Sequence, residues 1–497
     1  MLIIRDSTID SLVIDASDAT TISRQLYLQL RSQIADGLWA SAAHLPSTRA
    51  LATELGLSRN TVIAAYEQLG TEGYIETTPG KRPRISQLTV NKARLSVPAD
   101  GKIEASLSAR GRDITGARHQ TGFPGLGALQ PGLADIRAFP FATWRRCIAA
   151  HLNVTPGETL GYHSYGGQEH LREVLAQYMQ SSRGMECVSE RIMITAGAQA
   201  AFNLLAHLLL DPGDPVAIEE PGYTGAQGAF LAAGARLLPI PVNGSTWSLE
   251  TIRSARPRLI YLTPSCQFPI GSTMRIEQRL KVLRLAAEIN AWVIEDDFDS
   301  EFRFVSSRVP TLQSQDQARR TIYIGSFAKT MLPDLRLGFI IFPYAVTEQI
   351  QKANFLMGTA TPLVTQAAMA DFIVSGAFAR HTRRMKRLYA ARRAILVDAA
   401  QLHLGDMMDP VDEGNGLQIT WRFRFTVDDV AIANAARKQG ILCTPLSVHY
   451  RHGSSESGLM IGYAATDESQ IARAVVRLAQ VIRAHLDAAD LVAASEQ

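Results

Sequence analysis

Three short runs carry the residues best able to do chemistry. "GSFAKTMLPDLR", residues 325–336, brings a hydroxyl, an amine and a guanidinium together as Ser326, Lys329 and Arg336. "AWVIEDDFD", residues 291–299, leaves Asp296 and Asp297 at the end of an apolar run, with Asp299 and Glu301 just beyond. "TAGAQAAFNLL", from residue 195, passes through small residues into a helical pattern, so the backbone N–H groups of Ala198 and Gln199 are free to hold an anion.

A buried carboxylate needs a partner, and Asp296 and Asp297 leave three kinds open: a metal, a structural ion pair or a cationic organic ligand. A calcium loop wants a glycine and a fixed odd spacing that this acidic run lacks. Ser326 and Arg336 suit a phosphate, with Lys329 between them. An anion site, a carboxylate able to hold a ring N–H and a lysine able to form a Schiff base are together what pyridoxal phosphate requires.

These runs need a scaffold, and the pattern after about residue 120 supplies one. Short β-branched runs, "RIMIT", "PVAIEE", "RLIYLT", "AWVIEDD" and "TIYIGSF", alternate with amphipathic helices, which predicts an α/β domain with a mainly parallel sheet. Ligands on such sheets bind at the carboxyl ends of the strands, where loops deliver side chains to one cleft.

The first eighty residues have another design. Leu26, Leu30 and Ile34 make one apolar helical stripe closed by Gly37. "LPSTRALATELG" predicts a second helix ending at Gly56, and "LSRNTVIAAYEQLGTEGYI" a third, capped by Ser58. Val62, Tyr66 and Leu69 face its core while Arg59, Asn60 and Thr61 occupy its first turn. This is helix-turn-helix geometry, in which the start of the second helix of the pair meets DNA. "GYIETTPGKRPRIS" then predicts a hairpin wing with Lys81, Arg82 and Arg84 at its tip, suited to phosphates.

The bulk numbers are compatible with such a division. A chain of 497 residues is too long for one ordinary core. Its 46% hydrophobic and 20% charged residues are those of a soluble globular protein. A net charge of +3 argues for no nucleic-acid partner on its own, so DNA contact must come from local clustering. Four scattered cysteines, with no CxxC pair, support neither zinc nor a disulfide framework, and no metal site is expected. No signal peptide or membrane span is expected, and a cytoplasmic location follows.

Residues 20–87 resemble a GntR-type winged helix-turn-helix, an α+β unit, through "LPSTR", "LSRNTV" and "AYEQLGTEGYI". That resemblance implies double-stranded DNA operator binding through Arg49, Ser58, Arg59, Asn60, Thr61 and Lys81, although the family's glycine-rich wing here reads "PGKRPRIS". Residues 88–115 read as a linker. Residues 116–490 resemble fold type I, pyridoxal 5'-phosphate-dependent aminotransferases, with a smaller C-terminal α+β subdomain. Nearly the whole chain is similar to MocR/GabR-type regulators, which join these two parts.

On that resemblance Lys329 is the catalytic lysine and forms the internal aldimine, Asp296 pairs with the ring nitrogen, and Ser326, Arg336, Ala198 and Gln199 hold the phosphate. Tyr223 stacks on the ring, Tyr162 reaches the cofactor of a partner subunit in a homodimer, and Gln267 completes the set. The family's "EDDYD" is "EDDFD" here, with Phe298 in the tyrosine's place, and "PSHQFPTG" is "PSCQFPIG", with Cys266 and Ile270. Where the family has an effector-binding arginine, in "PLSRYY", this chain reads "PLSVHY" with Val448, and Arg451 lies close by. The expectation is a transcription regulator that senses the cofactor or its adduct with a small amino compound. The alternative is an active amino acid:2-oxo acid aminotransferase with an appended DNA-binding module.

Overall fold

The computed structural model describes residues 12–15, 17–18, 20–39, 42–78, 80–86, 107–116, 127–152, 166–304, 309–357, 361–411, 414–451 and 456–495. The chain divides into two compact units, Met1–Ser106 and Leu107–Gln497.

In the first unit, α1 (Ile22–Ala35), α2 (Thr48–Glu54) and α3 (Arg59–Thr71) are followed by strands β1 (Ile75–Glu76) and β2 (Arg84–Ile85). Two serines start the last two helices. Ser47 Oγ accepts from the N–H of Ala50 and Ser58 Oγ from that of Thr61, each at 3.1 Å, satisfying backbone donors that a helix start otherwise leaves unpaired. Leu26, Leu30, Ile34, Leu51, Val62, Tyr66 and Leu69 meet in one buried core with Ile75 and Ile85. The wing is antiparallel, with Ile75 opposite Ile85 and Glu76 opposite Arg84.

The second unit is built on an eight-stranded sheet. Its strands are β3 (Ile192–Thr195), β4 (Pro215–Glu220), β5 (Arg236–Asn243), β6 (Thr246–Trp247), β7 (Leu259–Leu262), β8 (Trp292–Asp297), β9 (Thr321–Ser326) and β10 (Gly338–Ile341), in the order β3-β10-β9-β8-β7-β4-β5-β6. β5, β4, β7, β8 and β9 run parallel. β10 is antiparallel to both its neighbours, which leaves β3 pointing the same way as the parallel set. The five runs read as strands from the sequence are β3, β4, β7, β8 and β9.

Helices cover the sheet. Ala198–Leu209 and Thr224–Ala232 pack on Met193, Ile218, Tyr261, Ile294 and Ile322, while Ile276–Ile289 packs with Ile260, Leu262 and Val293. Burial on both faces explains why these strands read as continuous apolar runs rather than alternating ones. A smaller antiparallel sheet follows, from β11 (Met408–Val411), β12 (Gln418–Phe423), β13 (Thr444–Pro445) and β14 (Gly458–Gly462). It is covered by the long helices Ala377–Leu404 and Glu468–Ser495, with Trp421 wholly enclosed.

The stretch 88–115 read as a linker runs into a helix. Ala109–Gly116 is helical, belongs to the second unit and packs on the helix Thr224–Ala232. Its composition, with Gly111 and few apolar side chains, gives no periodic signal, so only tertiary contact accounts for it. Among the described residues, no helix is long and apolar enough to cross a membrane.

Candidate functional site

Because β3, β4, β7, β8 and β9 share a direction, their carboxyl ends open onto one edge of the sheet. A cavity of about 190 Å³ lies there. β8 carries Asp296 into it, with Phe298 and Asp299 on the following loop; β9 brings Ser326, with Lys329 just after. The turn after β3 adds Gly197, Ala198 and Gln199, and the turn after β4 adds Tyr223. Arg336 stands at the end of the short turn Pro333–Leu335. Parallel topology thus gathers seven of the nine residues expected from sequence.

The other two lie elsewhere. Gln267 is buried outside the lining, its Nε2 donating to the carbonyls of Pro221 and Phe268 at 2.8 and 2.7 Å and its Oε1 accepting from the Ile270 N–H at 3.0 Å. It shapes the loop rather than facing the cavity. Tyr162 lies outside the described residues.

One end of the cavity is an anion cradle. The helix Ala198–Leu209 starts at Gly197 with no side-chain cap, so its first N–H groups point outward at the positive end of the helix dipole. Ser326 and the Arg336 guanidinium stand nearby. Arg336 is held at φ +46°, a left-handed conformation that costs a residue with a Cβ about 1–2 kcal/mol. Non-glycine residues held this way cluster at functional sites.

The other end is acidic and buried. Asp296 Oδ2 accepts from the Tyr261 hydroxyl at 2.7 Å, while Oδ1 is buried with no hydrogen-bond partner. Burial pushes the Asp296 carboxyl up to about 7; the Tyr261 bond and Lys329 pull it down, and Asp297 and Glu219 add to the rise. Asp297 answers the question of partners differently. It is a structural ion pair, accepting from Arg183 Nε at 3.2 Å, Ser300 Oγ at 2.7 Å and the Tyr323 hydroxyl at 2.5 Å. No metal-binding group of His, Cys, Asp and Glu side chains occurs among the described residues.

Lys329 lies between the two ends, its Nζ donating to the carbonyl of Gly132. Gly132 has φ +66°, and a Cβ there would stand 2.9 Å from Nζ, so the contact requires glycine. Burial lowers the Lys329 pKa, opposed by Asp299 and Asp296, and a less protonated amine is a better nucleophile. Asp299, pushed up to about 7 mainly by burial, accepts from the Leu417 N–H at 3.0 Å.

Sequence reasoning missed Gly132, Tyr261, Phe268 and Gln418. Tyr261 carried a signal, since a hydroxyl inside the buried run "RLIYLT" needs a polar partner on the adjacent strand. Gly132 and Gln418 carried none, because they come from distant segments.

An orphaned acceptor, an anion cradle and a half-buried amine in one cavity fit a phosphorylated pyridine aldehyde. Comparison with known proteins points the same way. Residues 138–478 match the family described as aminotransferase class I and II, and residues 22–85 match the bacterial regulatory proteins of the gntR family. The chain is 41% identical to a probable rhizopine catabolism regulatory protein, MocR, of Rhizobium meliloti, over 92% of each chain. It is 29% identical to the pyridoxine biosynthesis transcriptional regulator PdxR of Corynebacterium glutamicum, over 93% of this chain and 96% of that one. Among solved structures, the α-aminoadipate aminotransferase LysN of Thermus thermophilus, complexed with N-(5'-phosphopyridoxyl)-L-leucine, superposes with a TM-score of 0.69. It is 25% identical and covers 76% of this chain and 97% of its own.

Proposed function

The chain belongs to the MocR-type regulators, in which a gntR-family helix-turn-helix unit precedes an aminotransferase class I and II domain, and from that premise we propose that it is a pyridoxal phosphate-dependent transcription regulator. Its second unit holds the cofactor on Lys329 and senses either the cofactor or its adduct with an amino compound. The observation that carries this is the convergence of Lys329, the unpartnered Oδ1 of Asp296 and the anion cradle on one cavity.

Bound pyridoxal phosphate supplies an electrophilic carbon and a ring able to take up electron density. The chain does the rest. Asp296 Oδ1, which has no partner of its own, would accept from the ring N–H and hold a proton there. The N–H groups of Ala198 and Gln199, with Ser326 and Arg336, would bind the phosphate, and Tyr223 would pack against the ring. Partial burial of Lys329 lowers its pKa and favours its neutral amine.

On the DNA side, Arg49, Ser58, Arg59, Asn60 and Lys81 are exposed. Arg49, Arg59, Asn60 and Lys81 are therefore free to meet phosphates and base edges, while Ser58 and Thr61 chiefly cap α3. Effector binding that favours one arrangement of the paired DNA-binding units changes operator affinity, and DNA changes effector affinity by the same factor.

Turnover as an aminotransferase is the second reading, favoured by the completeness of the same lining. Val448, standing where the resemblance places an effector arginine, counts modestly against routine amino-acid turnover. The test is a gel-shift titration of the cofactor-loaded protein against its own upstream DNA, with and without amino compounds, alongside an assay for released 2-oxo acid. Ligand-dependent DNA affinity without release of oxo acid is expected. Release at enzyme rates with ligand-independent DNA binding would overturn the proposal.

A further inference from the structure

A second acid lines the cofactor cavity. Asp299, on the loop that follows β8, is 4% exposed and shares the lining with Lys329 and Asp296. One of its oxygens is held and the other is not: Oδ2 accepts from the Leu417 N–H at 3.0 Å, while Oδ1 is buried with no hydrogen-bond partner. The backbone that holds Oδ2 comes close only because of a glycine. Gly416 takes φ +79°, and a Cβ there would stand 2.8 Å from Asp299 Oδ2.

A buried carboxylate needs a cation to answer it. Asp297 also leaves Oδ1 without a hydrogen-bond partner, but Arg183 meets its charge at 3.2 Å and it does not line the cavity. The cation that acts on Asp299 is Lys329, and Asp299 is in turn the acid that acts most strongly on Lys329, ahead of Asp296. The attraction crosses the cavity, since Nζ is turned to the Gly132 carbonyl. The start of β12 joins the two surroundings. Leu417 holds Asp299, and the next residue, Gln418, borders the amine: a Cβ on Gly132 would stand 2.9 Å from Lys329 Nζ and 3.4 Å from Gln418 Oε1. The other titratable groups facing Asp299 are Asp297 on its own loop, the Tyr389 phenol of the helix Ala377–Leu404 and the Cys266 thiol, whose Sγ lies 3.3 Å from the same added Cβ of Gly416. None of these three carries positive charge.

Resting on the proposed cofactor role of Lys329, we infer that Asp299 is the counter-ion of the Lys329 nitrogen, a task separate from that of Asp296 at the ring nitrogen. Its carboxylate favours the protonated nitrogen both in the free lysine and once that nitrogen is bonded to the cofactor's aldehyde carbon. A protonated nitrogen draws electron density from the carbon attached to it and opens that carbon to an incoming amine. Asp299 therefore sets the upper pH limit at which the site accepts an amino compound.

The test follows the visible band of the full-length, cofactor-loaded protein against pH, since that band is lost when the lysine-bound nitrogen gives up its proton. Asp299→Asn should move the transition down by about one unit, the lower end of what an opposite charge at ~4–6 Å produces, and Asp299→Ser should do the same. Asp299→Glu, which keeps the charge, should recover most of the shift. Circular dichroism checks that each variant is folded. A transition that stays at the wild-type pH or moves upward in the folded uncharged variants overturns the inference. Failure of both uncharged variants to fold overturns it too, because the carboxyl is then structural. A wild-type protein that takes up no cofactor at all refutes the underlying cofactor reading instead.

Discussion

Replacing Asp296 by asparagine should make the cofactor-free protein more stable and the cofactor-bound protein weaker. The wild-type carboxyl is fully buried, has one unpartnered oxygen and is pushed from 3.8 to about 7, chiefly by burial. That difference corresponds to a cost on the order of 4 kcal/mol for ionising it in place. The sign follows from proton counting. Between pH ~4 and ~7 the folded carboxyl keeps a proton that the unfolded chain has released, so stability falls as pH rises and the cost is complete above about 7. Asparagine removes this charge but leaves an amide N–H₂ beside Tyr261 without a partner, a cost of about 1–3 kcal/mol. The net gain in the cofactor-free protein at pH 8 is therefore about 1–3 kcal/mol, and it shrinks towards zero near pH 5. Cofactor affinity should fall about 10- to 150-fold, the worth of a charge-assisted hydrogen bond of roughly 1.5–3 kcal/mol to the ring nitrogen. Denaturant melts of both proteins at the two pH values, with fluorescence titration of the cofactor, measure each quantity. A variant destabilised equally at both pH values, or one that binds cofactor as tightly as wild type, would refute the reasoning.

Three further outcomes are expected. Arg59→Ala should weaken operator binding and flatten its log–log salt dependence by about one unit of slope if Arg59 meets a phosphate, measured by gel shift across a salt series. Gly225→Ala places a Cβ 2.6 Å from the Tyr223 ring and 2.7 Å from Gln199 Oε1, so it should lower cofactor affinity while the fold persists, read by titration and circular dichroism. Leu26, wholly buried in the first unit, should cost about 2–5 kcal/mol when changed to alanine, seen as an early denaturant transition of that unit.

Much of the architecture was legible because several strong local rules agreed. Ser58 announced its helix, and five buried strands appeared as β-branched runs ending in polar loops. β10 and β5 escaped notice: "GFII" is four residues long, and "RLLPIPVN" carries two prolines that mask a strand. The helix Ala109–Gly116 was not legible, because its stability comes from the helix beneath it, not from its own pattern. In the site, Asp296, Ser326, Lys329 and Arg336 were legible as chemical types at close spacing. The split between Asp296, open to the cavity, and Asp297, locked to Arg183, was not, since adjacent strand residues point to opposite faces and only the packing says what each face meets. Gly132 and Gln418 depend on chain segments far from Lys329 that sequence spacing does not connect.

The central claim, that Lys329 is the covalent anchor of pyridoxal phosphate in this regulator, is tested most directly by the absorption spectrum of the purified protein after incubation with the cofactor. Wild type should gain a visible band that borohydride removes, leaving the cofactor attached at Lys329 on peptide mapping, and Lys329→Ala should lack it. A wild-type protein that stays colourless after reconstitution, or a Lys329→Ala variant with the same band, would contradict the account.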